Sequence, residues 1–407
     1  MNKQKKITEL IRMELLKTNY LSFFVVYLII SLINTFIILY IPVFMLIVLD
    51  VNRIELAFIQ FLSYLTLFLG PITGLFFDKF SHKKKQLLLV SSLLLVISFS
   101  FFNLNINNLS YFGIFLSLNF TSRLIIRAGM SKLMLEFSQF RNAKKNIILI
   151  VNVSASIGSI IPIIIFNLIV YDINSIDLWT SFFNVCWFMS FPIMLTFFLI
   201  KDVSLNEVFI TETKIIKPLA QKKIKNKRLS LVLIFLANFL IWGDKLIEFP
   251  LTSYIFTKFG EEGFRNYSYL FFIFMYLNIG GGLIARRLKN QKKSIINLSI
   301  SITIYASLMF FIVFSNLATF LLIMTANQLI CGIMMSQFIE RNIDVSNLGK
   351  NTALSYELIR GASLLANLIF VPLGTLLSTF VPLEFLITIV VVMSLFSIIP
   401  LYFSKIY

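Results

Sequence analysis

Gly74 to Lys85 reads GLFFDKFSHKKK, and 208 positions further on Gly282 to Lys293 reads GLIARRLKNQKK. In both stretches a long apolar run ends in Gly-Leu, crosses a few more residues and breaks into a dense basic loop. A degenerate motif recurring at the end of equivalent apolar runs marks two related halves, each with a charged hinge at the same place. Other residues share the offset. Pro42 matches Pro250 and Asn119 matches Asn327, while Pro162 and Pro372 pair at 210.

The rest of the chain sets those hinges in a membrane. Apolar residues make up 58% of the 407 and charged residues 14%, against roughly 25% charged in soluble domains. Apolar stretches of about 20 residues, enough to cross ~30 Å of hydrocarbon, recur along nearly the whole length. The pattern predicts an all-α integral membrane protein with about twelve spans in two pseudo-symmetric six-helix bundles. The expected spans are 20–46, 55–77, 86–103, 110–131, 147–170 and 178–200 in the first half. In the second they are 230–257, 266–285, 294–314, 316–338, 352–378 and 383–403. The bundles occupy 1–200 and 230–407, joined by a basic linker at 201–229. The first apolar stretch is too long for a signal peptide and no small-residue cleavage site follows it, so it is expected to be retained as the first span.

The net charge of +17 invites a nucleic-acid reading, but the distribution of the charges rules against it and makes the charge a topology signal. Of the 36 Lys and Arg, 29 fall in loops on one side of the expected spans, and only Arg53, Lys258 and Arg265 lie on the other. Seven acids sit on that second side, among them Asp50, Glu55, Asp172 and Glu384. By the positive-inside rule both termini are expected in the cytoplasm, and the expected location is a bacterial cytoplasmic membrane. Cys186 and Cys331 lie inside apolar spans without metal-ligand spacing, and His82 is the single histidine. No metal or cofactor is expected. No Gly-rich loop ending in Lys-Ser or Lys-Thr offers a nucleotide site, and the chain is not expected to be an enzyme.

The hinge residues resemble the major facilitator superfamily of secondary transporters, whose signature joins the second and third spans. Gly74, Asp78, Lys79, Lys83 and Lys84 fit it, with Ser81 where the family usually has Gly and His82 where it has Arg. Gly70-Pro71 looks like the macrolide, drug and siderophore exporter branch. In the fifth span Gly158 and Pro162 match the exporter motif only in part, since Ile161 replaces the Gly before the Pro. The resemblance implies that Asp78 faces the start of the eleventh span, where unpaired N–H groups carry partial positive charge. Gly74, Asp78, Lys79, His82 and Lys83 would then form a cytoplasmic latch. The alternative makes the lysines a topology anchor only. Arg286 stands where the first hinge has Asp78, so the latch is expected to be one-sided.

Ionisable groups inside spans are costly and are functional candidates by default. Asp244, Lys245 and Glu248 form the densest set. Asp244 lies ~21 Å along its span, somewhat past the midplane, and Asp244 and Glu248 share a face with Lys245 in reach. They are candidates for proton coupling, or for a static ion-pair cluster between halves. The resemblance puts the first, fourth, seventh and tenth spans around a central cavity, to which Asn34, Arg123, Asn327 and Gln328 would contribute. Arg123 would suit an anionic substrate group or a carboxylate partner, whereas Arg127 reads as snorkelling to headgroups. Glu357 and Arg360, three apart, read as a structural pair. The expected activity is proton-coupled efflux of an amphipathic compound such as an antibiotic, peptide toxin or siderophore, by a monomer in the lipid bilayer; the alternatives are proton-coupled import of a small nutrient and a non-transporting membrane protein.

Overall fold

The computed structural model describes residues 2–104, 109–138, 143–199, 227–287, 294–312, 317–347 and 351–404. Most of the expected linker and the 288–293 tail of the second hinge lie outside the described residues.

The first half comprises α1 (Asn2–Thr35), α2 (Ile41–Ile47), α3 (Arg53–Leu65), α4 (Gly70–Lys79), α5 (Lys84–Leu104), α6 (Leu109–Ser138), α7 (Ala143–Ile169), α8 (Ile176–Phe188) and α9 (Pro192–Leu199). The second half comprises α10 (Lys227–Ile241), α11 (Lys245–Arg287), α12 (Ser294–Ile312), α13 (Leu317–Ser346), α14 (Thr352–Leu377), α15 (Leu383–Phe396) and α16 (Ile398–Phe403). Among the described residues nine helices or joined helix pairs are long and apolar enough to cross a membrane. The other expected spans fall on α5, on α6 and on the later part of α11.

Several spans are jointed, and most joints coincide with proline. A π-helical turn at Phe36–Tyr40 separates α1 from α2, where Pro42 occupies the first turn. A 3₁₀ turn at Thr66–Leu69 precedes α4, which places Pro71 in its own first turn. Proline has no N–H to donate, so early helical positions tolerate it. A second 3₁₀ turn, Trp242–Asp244, joins α10 to α11.

Three boundaries differ clearly from the sequence expectation. The loop expected near 258–265 is helical, within the single run Lys245–Arg287. Its glycines, Gly260 and Gly263, each disfavour a helix by only about 1 kcal/mol, and no proline follows Pro250 in that run. The fourth and tenth spans continue as helix to Ser138 and Ser346, because a hydropathy boundary does not sense where a helix ends in water.

The halves pack alike internally. Glycine brings α7 against α1 and α14 against α11, since a Cβ on Gly158 would collide with Leu28 O and one on Gly374 with Leu246 O. With lipid on the outside, spans associate through such close backbone approach rather than through water exclusion. The equivalent asparagines behave equivalently. Asn119 donates to Ser98 on α5, and Asn327 donates to Met309 Sδ on α12. One hydrophobic cluster gathers mainly residues of the first half and a second those of the second half. Between the halves α3 and α4 pack on α14, and α7 packs on α11.

Candidate functional site

The first hinge meets the start of α14. Asp78 accepts hydrogen bonds from Ala353 N at 3.3 Å and Leu354 N at 2.9 Å. These are the amides an N-cap side chain normally satisfies, yet Asn351 at the cap makes no such bond. A carboxylate from another helix therefore caps α14, favoured further by the partial positive charge of the helix start. Gly74 permits the approach: its Cα faces Glu357, whose Cβ would be 2.9 Å from any Cβ added there. Of the other hinge residues, His82 and Lys83 are exposed, and Lys79 lies over the Phe80 ring. None of the three forms a hydrogen bond or ion pair with the Asp78 carboxylate. Its cation is Lys132 on α6, at 2.7 Å.

The second hinge also crosses between halves, but through an arginine and without a carboxylate capping a helix start. Arg286 donates to Asn146 Oδ1 at 2.8 Å. Asp78 and Arg286 are 208 apart, as are Asn146 and Leu354, so the two contacts are related by exchange of the halves. Asn347 and Ser138, nearly equivalent positions, join each other at 3.1 Å. All of these contacts lie on the basic face.

Above them sits a polar cavity with free volume of about 30 Å³, room for one water, lined from one half by Asn34, Tyr64, Arg123 and Arg127 and from the other by Arg360 and Asn367. Arg123 is 3% exposed, donates through Nη1 to Asn34 Oδ1 at 3.1 Å, and stacks its guanidinium 4.6 Å from the Phe120 ring centre. Arg127, one turn on, also lines the cavity, which corrects the snorkelling expectation. Arg360 bonds Glu357 at 3.0 Å and Ser131 at 3.4 Å. Glu357 is fully buried, so this pair ties α14 to α6 and α4 just above the Asp78 contact.

A second cavity of similar size lies beyond Tyr64, which lines both. Its walls are mostly apolar, and Glu248 is its one charged residue. Lys245 bonds Glu248 at 2.7 Å and sits 5.5 Å from the Trp242 ring centre. Asp244 ends the 3₁₀ turn, with one carboxylate oxygen buried and unpartnered. Asn327 and Gln328 line neither cavity, the former because it is turned toward Met309. The opposite face is closed too: Arg53 reaches Ser378 O and Ser253 Oγ, both at 3.1 Å, and Thr375 donates to Gln60 at 2.9 Å.

No family model matches the sequence, and no curated protein matches it. Solved structures do. A major facilitator superfamily transporter, FucP, in the outward conformation superposes with a TM-score of 0.68 at 15% identity, over 95% of this chain and 98% of that one. The human organic anion transporter MFSD10 (TETRAN) gives 0.66 at 12%, and the nucleoside transporter NupG 0.64 at 10%, each over the same shares. This chain has the major facilitator superfamily fold.

Within that fold Tyr64, Lys132 and Arg53 are the site residues the sequence reading missed. Gln60, Ser63 and Tyr64 form a buried polar stripe at helical spacing on α3, a signal that periodicity carries. Lys132 and Arg53 have no local mark, since their partners lie far along the chain. Arg53→Ala removes both of its cross-half bonds, and hydrogen bonds to charged groups contribute about 1.5–3 kcal/mol. With Cys186 and Cys331 replaced, the expected result is faster labelling of Ser63→Cys by an impermeant thiol reagent from the Arg53 side. An unchanged rate would remove Arg53 from the closure.

Proposed function

We propose that this chain is a proton-coupled secondary transporter that works by alternating access and exports an amphipathic compound. The observation that carries the reading is one buried, ionisable site between two halves, with a separate polar closure on each face. Each closure is built of a few hydrogen bonds, so each can break while the other holds. On this reading the basic face is cytoplasmic, both termini lie there, and the conformation is occluded. The mostly apolar second cavity supports an amphipathic cargo, and the likeness of Gly70-Pro71 to exporters supports the direction. Functional screening tests it directly: expression is expected to raise resistance to at least one compound in an antibiotic panel, and a protonophore is expected to abolish the gain. Uptake of a nutrient driven by the same gradient would reverse the direction and keep the mechanism.

Asp244 and Glu248 are assigned to proton coupling. Both carboxylates sit beside Lys245, and each has a buried oxygen without a partner. A change in the distance of Lys245 between conformations alters proton affinity without any other group moving. Asp244→Asn and Glu248→Gln, measured in everted vesicles with the compound found by the screen, are expected to separate the roles. One of them loses transport driven by an imposed pH gradient. Retention in both would reduce the cluster to a structural ion pair.

A further inference from the structure

We propose that the polar cavity between α6 and α14 is the headgroup site for an amphipathic monoanion, an alkyl or aryl carboxylate or sulfonate, with the apolar cavity beyond Tyr64 taking its tail. This deepens the transport reading by naming the substrate class, and rests on that reading only for the claim that the ligand is carried.

The first argument is charge. Three guanidinium groups, Arg123, Arg127 and Arg360, line one small cavity, and among the described residues the only carboxylate paired with any of them is Glu357. Buried charges without partners are strongly unfavourable, so a site with this excess takes a counter-ion. Arg123 and Arg127 are also one turn apart on the same helix, where like charges repel, and a shared anion relieves that.

The second argument is which donors are free. Arg123 spends Nη1 on Asn34, while its Nε and Nη2 are buried and unpartnered. Arg360 repeats the arrangement, with Nη1 on Glu357 and Ser131 and with Nε and Nη2 free. The Nε–Nη2 edge of a guanidinium presents two parallel N–H groups, which match the two oxygens of a carboxylate or sulfonate. In both arginines that edge is the one without a partner.

The third argument is the far end. Ile38, Tyr64 and Phe120 line both cavities, so the headgroup site adjoins the apolar one across these side chains, beyond which Ile41, Phe249 and Val371 follow. Glu248 closes that end and disfavours a second negative charge on the tail. The ligand class that fits is one anionic head on an apolar body. Both cavities are water-sized in this closed conformation, so the tail is admitted as one of the closures parts.

The test uses the full-length protein purified in a non-ionic detergent, with octyl sulfonate as the probe. Thermal-shift titration is expected to show saturable stabilisation by octyl sulfonate and none by octyltrimethylammonium at equal concentration. Arg123→Gln is expected to weaken the apparent Kd at least about tenfold, the loss of one charge-assisted contact. Should that variant fail to fold, the contrast between the two wild-type probes decides alone. Equal shifts with both probes, or an unaltered Kd in Arg123→Gln, would overturn the proposal. Loss of the octyl sulfonate shift on adding phosphatidylglycerol would assign the site to lipid and overturn it as well. Binding without exchange between the two closures would leave this inference standing and remove transport, and exchange without anion binding would do the reverse.

Discussion

Asp78→Ala will open the basic face. The carboxylate caps two amides of α14 and holds Lys132, which is 15% exposed. Its loss leaves both amides and the ammonium without their partner. At about 1.5–3 kcal/mol for each bond to a charged group, the closure weakens by at least about 3 kcal/mol, which shifts a two-state balance roughly a hundredfold. The readout is a cysteine at Ser131, which is buried and bonded to Arg360, placed in a background lacking Cys186 and Cys331. An impermeant thiol reagent on the basic side is expected to label it at least tenfold faster in Asp78→Ala. Asp78→Asn keeps an acceptor able to cap and loses the ion pair, so an intermediate rate is expected. Wild-type labelling in both variants would reduce the hinge to an anchor for its lysines.

The second large effect concerns stability. Gly374→Ala and Gly158→Ala force a methyl group against a backbone carbonyl of the neighbouring span, Leu246 O and Leu28 O respectively. Backbone cannot give way as a side chain does, and overpacking of this kind destabilises by about 1–3 kcal/mol or more. Leu246 O is a special partner, because Pro250 four residues on has no N–H to offer it. Gly113→Ala is the internal control, since open space surrounds that position. Both tight substitutions are expected to lower the melting temperature by several degrees, while Gly113→Ala leaves it unchanged or raises it. A similar small change in all three would mean that the helix pairs do not meet through these glycines.

Much of the fold was legible in the sequence because membranes impose one-dimensional rules. Span length, the bias of Lys and Arg, and the repeat of the 74–85 hinge at 282–293 each report on architecture without any contact being known. The Asp78 contact was legible only through the resemblance, since nothing near Asp78 in sequence names Ala353 and Leu354. Lys245 and Glu248 were readable together because three residues of helix bring them together. Lys132 was not, because its partner is 54 residues away and four nearer lysines competed for the assignment. Arg127 failed for a related reason: a helical arginine near a span end looks the same whether it turns to the headgroups or to the interior. The Arg286 contact was not legible either, because its partner Asn146 is 140 residues away.

The central claim is that the two closures open one at a time around a single site. Two spin-label pairs measure this in liposomes, one at His82 and Asn351 on the basic face and one at Ile54 and Phe380 on the opposite face, all four positions being exposed. Distance distributions are compared in otherwise wild-type protein, in Asp78→Ala and in Arg53→Ala. Asp78→Ala is expected to lengthen only the His82–Asn351 distance, and Arg53→Ala only the Ile54–Phe380 distance. Lengthening of both distances by either change, or of neither by both, would contradict alternating access in this chain.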